Sequence, residues 1–132
     1  MAVPDTVYSF KDDGGHGYFL LDTGHGNVAL TTGTGSQWTL VPDGSLGGIF
    51  LIESGSGHCL DVADDPVYNE SCVHGDHNED FYLHSGSQSG GFVIRNYATG
   101  LNLTATGIYN GAIVYVTSGA ASADNTWLLT AL

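Results

Sequence analysis

Apolar residues in this chain come in short runs that are separated by polar turns. The runs are rich in Val, Ile, Leu, Tyr and Phe, as strands are, and Gly, Ser, Thr, Asn and Asp fill the turns. No window keeps the spacing of an amphipathic helix for three turns. The pattern therefore predicts an all-β protein.

The same apolar unit occurs three times along the chain. Residues 47–52 (Gly-Gly-Ile-Phe-Leu-Ile) are followed 43 positions later by residues 90–95 (Gly-Gly-Phe-Val-Ile-Arg). An aromatic residue closes each unit, and these residues are Trp38, Phe81 and Trp127. A fixed period of this length indicates a repeat architecture, in which no unit buries its apolar face alone. We expect the three closing aromatic residues in the core, near a pseudo-threefold axis.

Each unit predicts four strands. They are residues 7–10, 18–21, 28–31 and 37–40 in the first unit, 49–53, 59–62, 72–74 and 81–84 in the middle unit, and 92–96, 101–104, 113–117 and 126–129 in the third. Three units of four strands predict a β-trefoil with pseudo-threefold symmetry, because three blades fall short of the usual minimum of about four in a propeller. We expect one domain over residues 1–132, with units near 1–43, 44–86 and 87–132.

The chain is strongly acidic. It has 14 Asp and Glu residues but only two Lys and Arg, which gives a net charge of −12. Affinity for nucleic acid comes mostly from Lys and Arg, so nucleic acid and anionic membrane surfaces are disfavoured as partners. No stretch approaches the ~18 consecutive apolar residues of a membrane span, so we expect no membrane insertion. Neutral or cationic partners remain.

Two features bear on the cellular compartment, and both leave alternatives. Residues 1–6 have neither a basic region nor an apolar core, so they predict no secretory signal. The chain is then cytoplasmic, or released without a signal peptide, or the mature form of a secreted protein. Cys59 and Cys72 either form a disulfide, worth about 3 kcal/mol for a loop of this length, or are two buried free thiols.

Carboxylates are distributed unevenly over the three similar units. The segments of the first and third units that match residues 61–80 contain one carboxylate each, Asp22 and Asp124. The middle unit is much richer, so we expect it to have a function that the other two units perform less well or not at all. Its carboxylates in this segment are Asp61, Asp64, Asp65, Glu70, Asp76, Glu79 and Asp80.

This segment contains the residue types that recognise sugars. A carboxylate such as Asp61 accepts charge-assisted hydrogen bonds from two neighbouring hydroxyls, and an amide such as Asn78 both donates and accepts. The ring of His74 or Tyr68 offers a face to the C–H side of a sugar, and Gly75 leaves room for it. The predicted carbohydrate-binding residues are Asp61, Tyr68, His74, Gly75, Asp76, His77, Asn78 and Glu79.

The order of these residues is similar to that of a known family. Leu60-Asp61-Val62, then Asn69, then His74-Gly75-Asp76-His77-Asn78-Glu79-Asp80-Phe81, resembles the repeat of ricin-B type lectins and their fungal relatives. The resemblance covers the whole chain in its spacing and is specific over residues 57–83. It implies a small non-enzymatic β-trefoil lectin that binds glycans chiefly through the middle unit.

The resemblance also implies roles for single residues. It assigns the family's sugar-binding Asp to Asp61, its ring-stacking position to His74 or a neighbour, and its polar position to Asn78. Glu79 stands where the family has Gln, and Phe81 stands where it has the closing Trp. The His-Gly-Asp-His run also resembles sugar loops of galactose-binding trefoil lectins from mussels, which implies terminal galactose or GalNAc as the ligand. Because single sugar sites bind weakly, a homo-oligomer would supply avidity.

Three other functions fit the residues less well. His74, Asp76 and His77 offer N and O ligands, but their spacing matches no established zinc or calcium motif, so we expect no metal or other cofactor. Asp61 and Glu79 lie in polar loops, whereas a hydrolytic carboxylate pair needs one member in apolar surroundings, so we expect no enzyme. A β-trefoil protease inhibitor is the main alternative, although the chain has no long loop with a basic or large apolar tip.

Overall fold

The computed structural model describes residues 6–12, 17–24, 26–44, 48–62, 67–105, 107 and 109–132. Residues 1–5, which carry most of the signal-peptide prediction, lie outside this set, as do Asp64 and Asp65. The strands are β1 (Val7–Asp12), β2 (Phe19–Asp22), β3 (Val28–Thr31), β4 (Trp38–Pro42), β5 (Phe50–Ser54), β6 (His58–Asp61), β7 (Tyr68–Ser71), β8 (Phe81–Ser85), β9 (Gly91–Asn96), β10 (Asn102–Thr104), β11 (Tyr115–Thr117) and β12 (Thr126–Ala131).

Six of these strands close into a barrel. Each pairs antiparallel with the next in the order β1, β4, β5, β8, β9, β12 and back to β1. The other six strands form the hairpins β2–β3, β6–β7 and β10–β11, one in each unit. Closure of the barrel removes the open sheet edges that make all-β proteins prone to aggregation. This is a β-trefoil, and it confirms the predicted fold class.

A ring of backbone hydrogen bonds joins the three units. Val28 N donates to Val67 O at 3.4 Å, Val67 N donates to Val114 O at 3.0 Å, and Val114 N donates to Val28 O at 3.0 Å. All three valines are fully buried. Each unit therefore gives one bond to the next and takes one from the previous, which is the predicted pseudo-threefold symmetry.

The closing aromatic residues form the centre of the core. Trp38, Phe81 and Trp127 are each 0% exposed. The Nε1–H of Trp38 donates to Leu20 O at 3.2 Å, and that of Trp127 donates to Leu103 O at 2.9 Å. Phe81 fills the equivalent place without a donor, because its ring has no N–H group. The aromatic residues thus pack the core, and two of them also fix the hairpin of their own unit.

Replacing Trp127 by Phe tests this second role. We expect a loss of about 2 kcal/mol in the free energy of unfolding, because the Leu103 carbonyl loses its buried donor and the smaller ring leaves space. Urea unfolding measures it, with the exposed Tyr109→Phe as a control that stays within about 0.5 kcal/mol of wild type. An equal loss in the two variants would contradict this account of Trp127.

One predicted strand is wrong. The third strand of the middle unit is Tyr68–Ser71, whereas the sequence pattern predicted residues 72–74. Its inward-facing residue is the polar Asn69, whose Nδ2 donates to Asp22 Oδ1 in the first unit. The apolar Val73, which lies within the predicted segment, is instead in a turn and is 52% exposed.

Among the described residues, no helix is long and apolar enough to cross a bilayer.

Candidate functional site

The β6–β7 hairpin places Asp61 and Tyr68 side by side. These residues are direct partners in the antiparallel register, so their side chains lie on the same face, with Cβ atoms about 5 Å apart. Leu60 points to the opposite face and is fully buried in the core. Asp61 is 8% exposed and Tyr68 is half-buried. The structure therefore brings together the predicted hydroxyl acceptor and one of the two predicted rings.

A one-turn 3₁₀ helix, His77–Glu79, brings two more carboxylates to Asp61. Asp76 caps this helix, because its Oδ1 accepts the backbone N–H of Asn78 at 3.1 Å. Glu79 turns inward and is 0% exposed, and its Oε1 accepts the backbone N–H of Val73 at 2.6 Å. Glu79 thus closes the loop that follows β7.

Carboxylate oxygens of Asp61, Asp76 and Glu79, here called the acidic triad, lie within 4.8 Å of one another. Burial raises the pKa of Glu79 to about 7; the Val73 N–H opposes this shift, and the charges of Asp61 and Asp76 add to it. The pKa of Asp61 is also raised, first by burial and then by the charge of Asp76. The sequence interpretation of Asp61 and Glu79 as carboxylates in polar loops is therefore wrong for Glu79.

His74 and Gly75 bind a different carboxylate, which sequence reasoning missed. His74 Nδ1 lies 2.8 Å from Oδ1 of Asp43, and Gly75 N donates to Oδ2 of Asp43 at 3.0 Å. Asp43 comes from the link between the first and middle units and is 5% exposed. Gly75 has a φ of +86°, and a Cβ there would meet nothing within 4 Å. Backbone conformation, rather than space for a ligand, therefore explains the glycine.

Asp80 and His77 continue this second cluster. His77 Nδ1 lies 2.9 Å from Oδ2 of Asp80. Burial and a hydrogen bond to Asp43 raise the pKa of Asp80 to about 6, while the same bond holds the pKa of Asp43 below its usual range. Asp80 is therefore the member of this pair that takes up a proton first as the pH falls. The result is a chain of His74, Asp43, Asp80 and His77, in which the two imidazole rings are exposed and the two carboxyls are buried.

Exposed rings extend outward from His77. Its ring centre lies 4.8 Å from that of Tyr97, which in turn is 6.4 Å from the ring of Tyr82. Tyr82 also meets the ring of His84 edge-on at 4.8 Å. Tyr97 belongs to the third unit, so no local pattern in the sequence indicates this contact. The rings form a continuous surface beside the 3₁₀ helix.

Asn78 contributes mainly through its backbone. Its carbonyl accepts Val62 N at 3.0 Å and Asn96 Nδ2 at 2.9 Å, which ties the loop to β6 and to the third unit. Its side chain is half-buried. These bonds fix the position of Asn78 next to the acidic triad.

Asp22 holds a further polar network that sequence reasoning did not single out. Its Oδ2 accepts the hydroxyls of Ser54 and Ser56, both at 2.6 Å, and its Oδ1 accepts Gly24 N at 2.9 Å and Asn69 Nδ2. Its side chain is only 3% exposed. The network joins the first unit to the middle one and leaves no oxygen for a ligand, so its role is structural.

The third unit has neutral residues at the positions of the acidic triad. Leu60 and Leu103 are equivalent core residues of β6 and β10, so the next residue in each strand, Asp61 and Thr104, is equivalent as well. Counted back from the closing aromatic residue, Asp76 and Glu79 correspond to Ser122 and Asn125, and Ser122 holds the N-cap position of a 3₁₀ helix, as Asp76 does in the middle unit.

The polar groups of these neutral residues form hydrogen bonds with nearby residues of the third unit. The Thr104 hydroxyl donates to Asn102 O at 2.8 Å. Asn125 Oδ1 accepts Ser122 N at 2.8 Å, and its Nδ2 donates to Ala120 O at 3.0 Å. The same backbone is therefore built in the third unit without a charge at these three positions.

Comparison with solved structures identifies several proteins of the same fold. The chain matches ThreeFoil, a designed 3-fold symmetric protein, with a TM-score of 0.81, 23% identity and coverage of 96% of this chain and 99% of that one. It matches a salivary protein of Culex quiquefasciatus from the Cysteine and Tryptophan-Rich family with a TM-score of 0.79, 17% identity and coverage of 99% and 96%.

A Polyporus squamosus lectin, solved with Neu5Acα2-6Galβ1-4GlcNAc bound, matches with a TM-score of 0.77 and 13% identity. The match covers all of this chain and 51% of the lectin. No protein-family model and no curated protein sequence matches the chain. At these identities the matches show a shared fold, and function must be argued from the site itself.

Proposed function

We propose that the protein is a lectin that binds glycans through the middle unit, with terminal galactose or GalNAc as the preferred sugar. The observation that carries the proposal is the pairing of Asp61 with Tyr68 across the β6–β7 hairpin. A carboxylate that accepts two hydroxyls, next to a ring that covers a C–H face, is the pairing that sugar recognition needs. Glycan binding by a Polyporus squamosus lectin of the same fold supports it.

In this proposal, Asp61 accepts hydrogen bonds from two adjacent sugar hydroxyls. Tyr68 covers the apolar face of the ring, a face that galactose and GalNAc present because their axial 4-hydroxyl lies on the other side. Asn78 donates and accepts at the rim. The exposed rings of His77 and Tyr97 extend the surface for a second sugar residue. His74 contributes only its outer edge, since its Nδ1 is engaged by Asp43.

The protein is proposed to be non-enzymatic. A glycosidase needs an acid that reaches the glycosidic oxygen, and the carboxyl with the higher pKa, Glu79, is fully buried. Its partner Asp61 lies too close to leave room for a substrate bond between them. We also propose an oxidising, extracellular setting, because Cys59 and Cys72 form a disulfide. Binding of single sugars at micromolar to millimolar Kd would then gain avidity from a homo-oligomer.

Asp61→Asn provides the central test. We expect the affinity for galactose or GalNAc to fall about 10- to 100-fold, because a neutral amide replaces two charge-assisted acceptors. A glycan array followed by calorimetry with the free sugar measures the change. The exposed Asp124→Asn is the matched control and should bind as wild type does.

Two variants of Tyr68 test whether the face of its ring binds the sugar. Tyr68→Phe should keep most of the affinity, since the ring face remains, whereas Tyr68→Ala should lose it. The proposal fails if the array is silent, or if the Asp61 and Asp124 variants bind equally well. A silent array together with inhibition of a protease would favour the inhibitor function instead.

A further inference from the structure

We propose that the acidic triad of Asp61, Asp76 and Glu79 binds a calcium ion. The inference goes beyond the proposed function and does not depend on it, because it concerns a cation bound in the absence of any sugar. It also differs from the set of His74, Asp76 and His77, from which the sequence analysis expected no metal site, since both histidines are engaged by buried aspartates.

The geometry of the triad fits a hard cation. Its donors are all carboxylate oxygens, without nitrogen or sulfur, and this set favours calcium or magnesium over zinc. Calcium binds oxygens at about 2.3–2.6 Å, so oxygens on opposite sides of the ion are about 4.6–5.2 Å apart. The triad oxygens lie within 4.8 Å of one another, so all three are close enough to ligate one calcium ion. Magnesium demands a tighter and more regular octahedron.

The second observation is an unpaired oxygen of Glu79. The side chain is 0% exposed, and only its Oε1 has a donor, the N–H of Val73. Its Oε2 has no donor group among the described residues, and the carboxyl of Asp61 can pair with it only by sharing a proton. A buried carboxylate oxygen without a partner is costly, and the adjacent carboxylate of Asp61 has no proton to give when both are ionised. A positive ion between them satisfies both groups.

The fold itself does not require these charges. Thr104, Ser122 and Asn125 hold the equivalent places in the third unit and close the same loop with neutral hydrogen bonds. Three positions that are neutral in the third unit are therefore acidic in the middle unit.

The protein's own cations are engaged elsewhere. Lys and Arg number only two in the chain. Arg95 Nε donates to Asn102 Oδ1 at 2.8 Å, and Lys11 Nζ lies over the ring of Phe19 at 5.8 Å. The counter-ion for the triad must then come from solution.

Calorimetric titration with calcium chloride in sugar-free, chelator-treated buffer tests the inference. We expect saturable binding of one ion with a Kd of about 10⁻⁴–10⁻³ M, in the range of extracellular calcium modules, and a rise in Tm of about 3–6 °C at saturation. Glu79→Gln should abolish both effects. Its amide retains an oxygen for Val73 and gives Asp61 a hydrogen bond in place of the ion, so it should fold without calcium.

A second variant tests whether the calcium response is lost because the charges are removed, rather than because of the glutamine side chain itself. Asp61→Thr, Asp76→Ser and Glu79→Asn together reproduce the third unit and should also be insensitive to calcium, while Asp124→Asn should respond as wild type does. The inference is overturned if wild type shows no saturable binding up to 10 mM calcium, on the order of ten times the weakest expected Kd. It is equally overturned if Glu79→Gln responds as strongly as wild type, since the acidic surface as a whole would then be binding the ion.

Discussion

Replacing Asp22 by Ala should lower the free energy of unfolding by about 3–4 kcal/mol, the largest effect that we expect from a single polar residue. The substitution removes one buried acceptor and leaves several donors unpaired, each worth about 1–3 kcal/mol, although their sum is not additive. Those donors are Ser54, Ser56, Gly24 N and Asn69. Because they belong to two units, the loss should also weaken the contact between the first and middle units. Urea unfolding measures the change.

The pH dependence of Asp22→Asn shows whether charge is the cause. Burial alone would raise the pKa of Asp22, but hydrogen bonds from Ser54 and Ser56 outweigh burial and hold it well below its usual range. A carboxyl whose folded-state pKa is lowered stabilises the fold fully above its unfolded pKa of about 3.9. That contribution disappears only as the pH falls through the lower folded-state pKa. The stability difference between wild type and Asp22→Asn should therefore be full above about pH 4, reduced but still present at about pH 3, and lost in stronger acid.

A matched control separates the network from general charge effects. Asp124 is exposed, so Asp124→Asn should change stability by no more than about 0.5 kcal/mol at any pH. If Asp22→Asn behaves like Asp124→Asn, then the serine and asparagine contacts contribute nothing to stability, and the account of this network is wrong.

The fold could be predicted because its apolar skeleton is repeated. Leu20, Leu60 and Leu103 are equivalent, fully buried residues, and Trp38 and Trp127 hydrogen-bond to the carbonyls of two of them. Such residues recur at similar distances along the chain, every 40 to 46 positions, so the sequence alone reveals them. The failure at β7 has the opposite cause. Its buried Asn69 is acceptable in the core only because Asp22, 47 positions away, accepts its amide.

The candidate site could be predicted only in part, for the same reason. Asp61 and Tyr68 are hairpin neighbours, so a local pattern places them together. The partner of His74 is Asp43, 31 positions earlier, and the ring beside His77 belongs to Tyr97 in another unit. A polar loop in the sequence gives no sign that one of its carboxylates turns inward, as Glu79 does. Contacts between residues that are distant in sequence could thus not be predicted, even where the strands around those residues could be.

Removing the disulfide between Cys59 and Cys72 should lower the free energy of unfolding by about 3 kcal/mol. The two residues are 13 positions apart, and a cross-link across a loop of this size restricts the unfolded chain by about that amount. The double variant Cys59→Ala, Cys72→Ala is preferable to reduction, since it leaves no buried free thiol. At a total stability of about 5–15 kcal/mol the variant should still fold, because the hydrogen bonds of β6–β7 and Asn69 remain.

Hydrogen exchange measures which part of the structure becomes less stable when the disulfide is removed. The disulfide ties the start of the β6–β7 hairpin, so in the double variant the backbone amides of β7 should exchange faster, by more than global destabilisation explains. The hairpin β10–β11 is the internal control, because it occupies the equivalent place without a cysteine and should follow only the global change. Equal acceleration in the two hairpins would mean that the disulfide acts on the unfolded chain alone. An unchanged unfolding midpoint would mean that the polar network of Asp22 already holds the hairpin closed, and that the cross-link adds nothing to it.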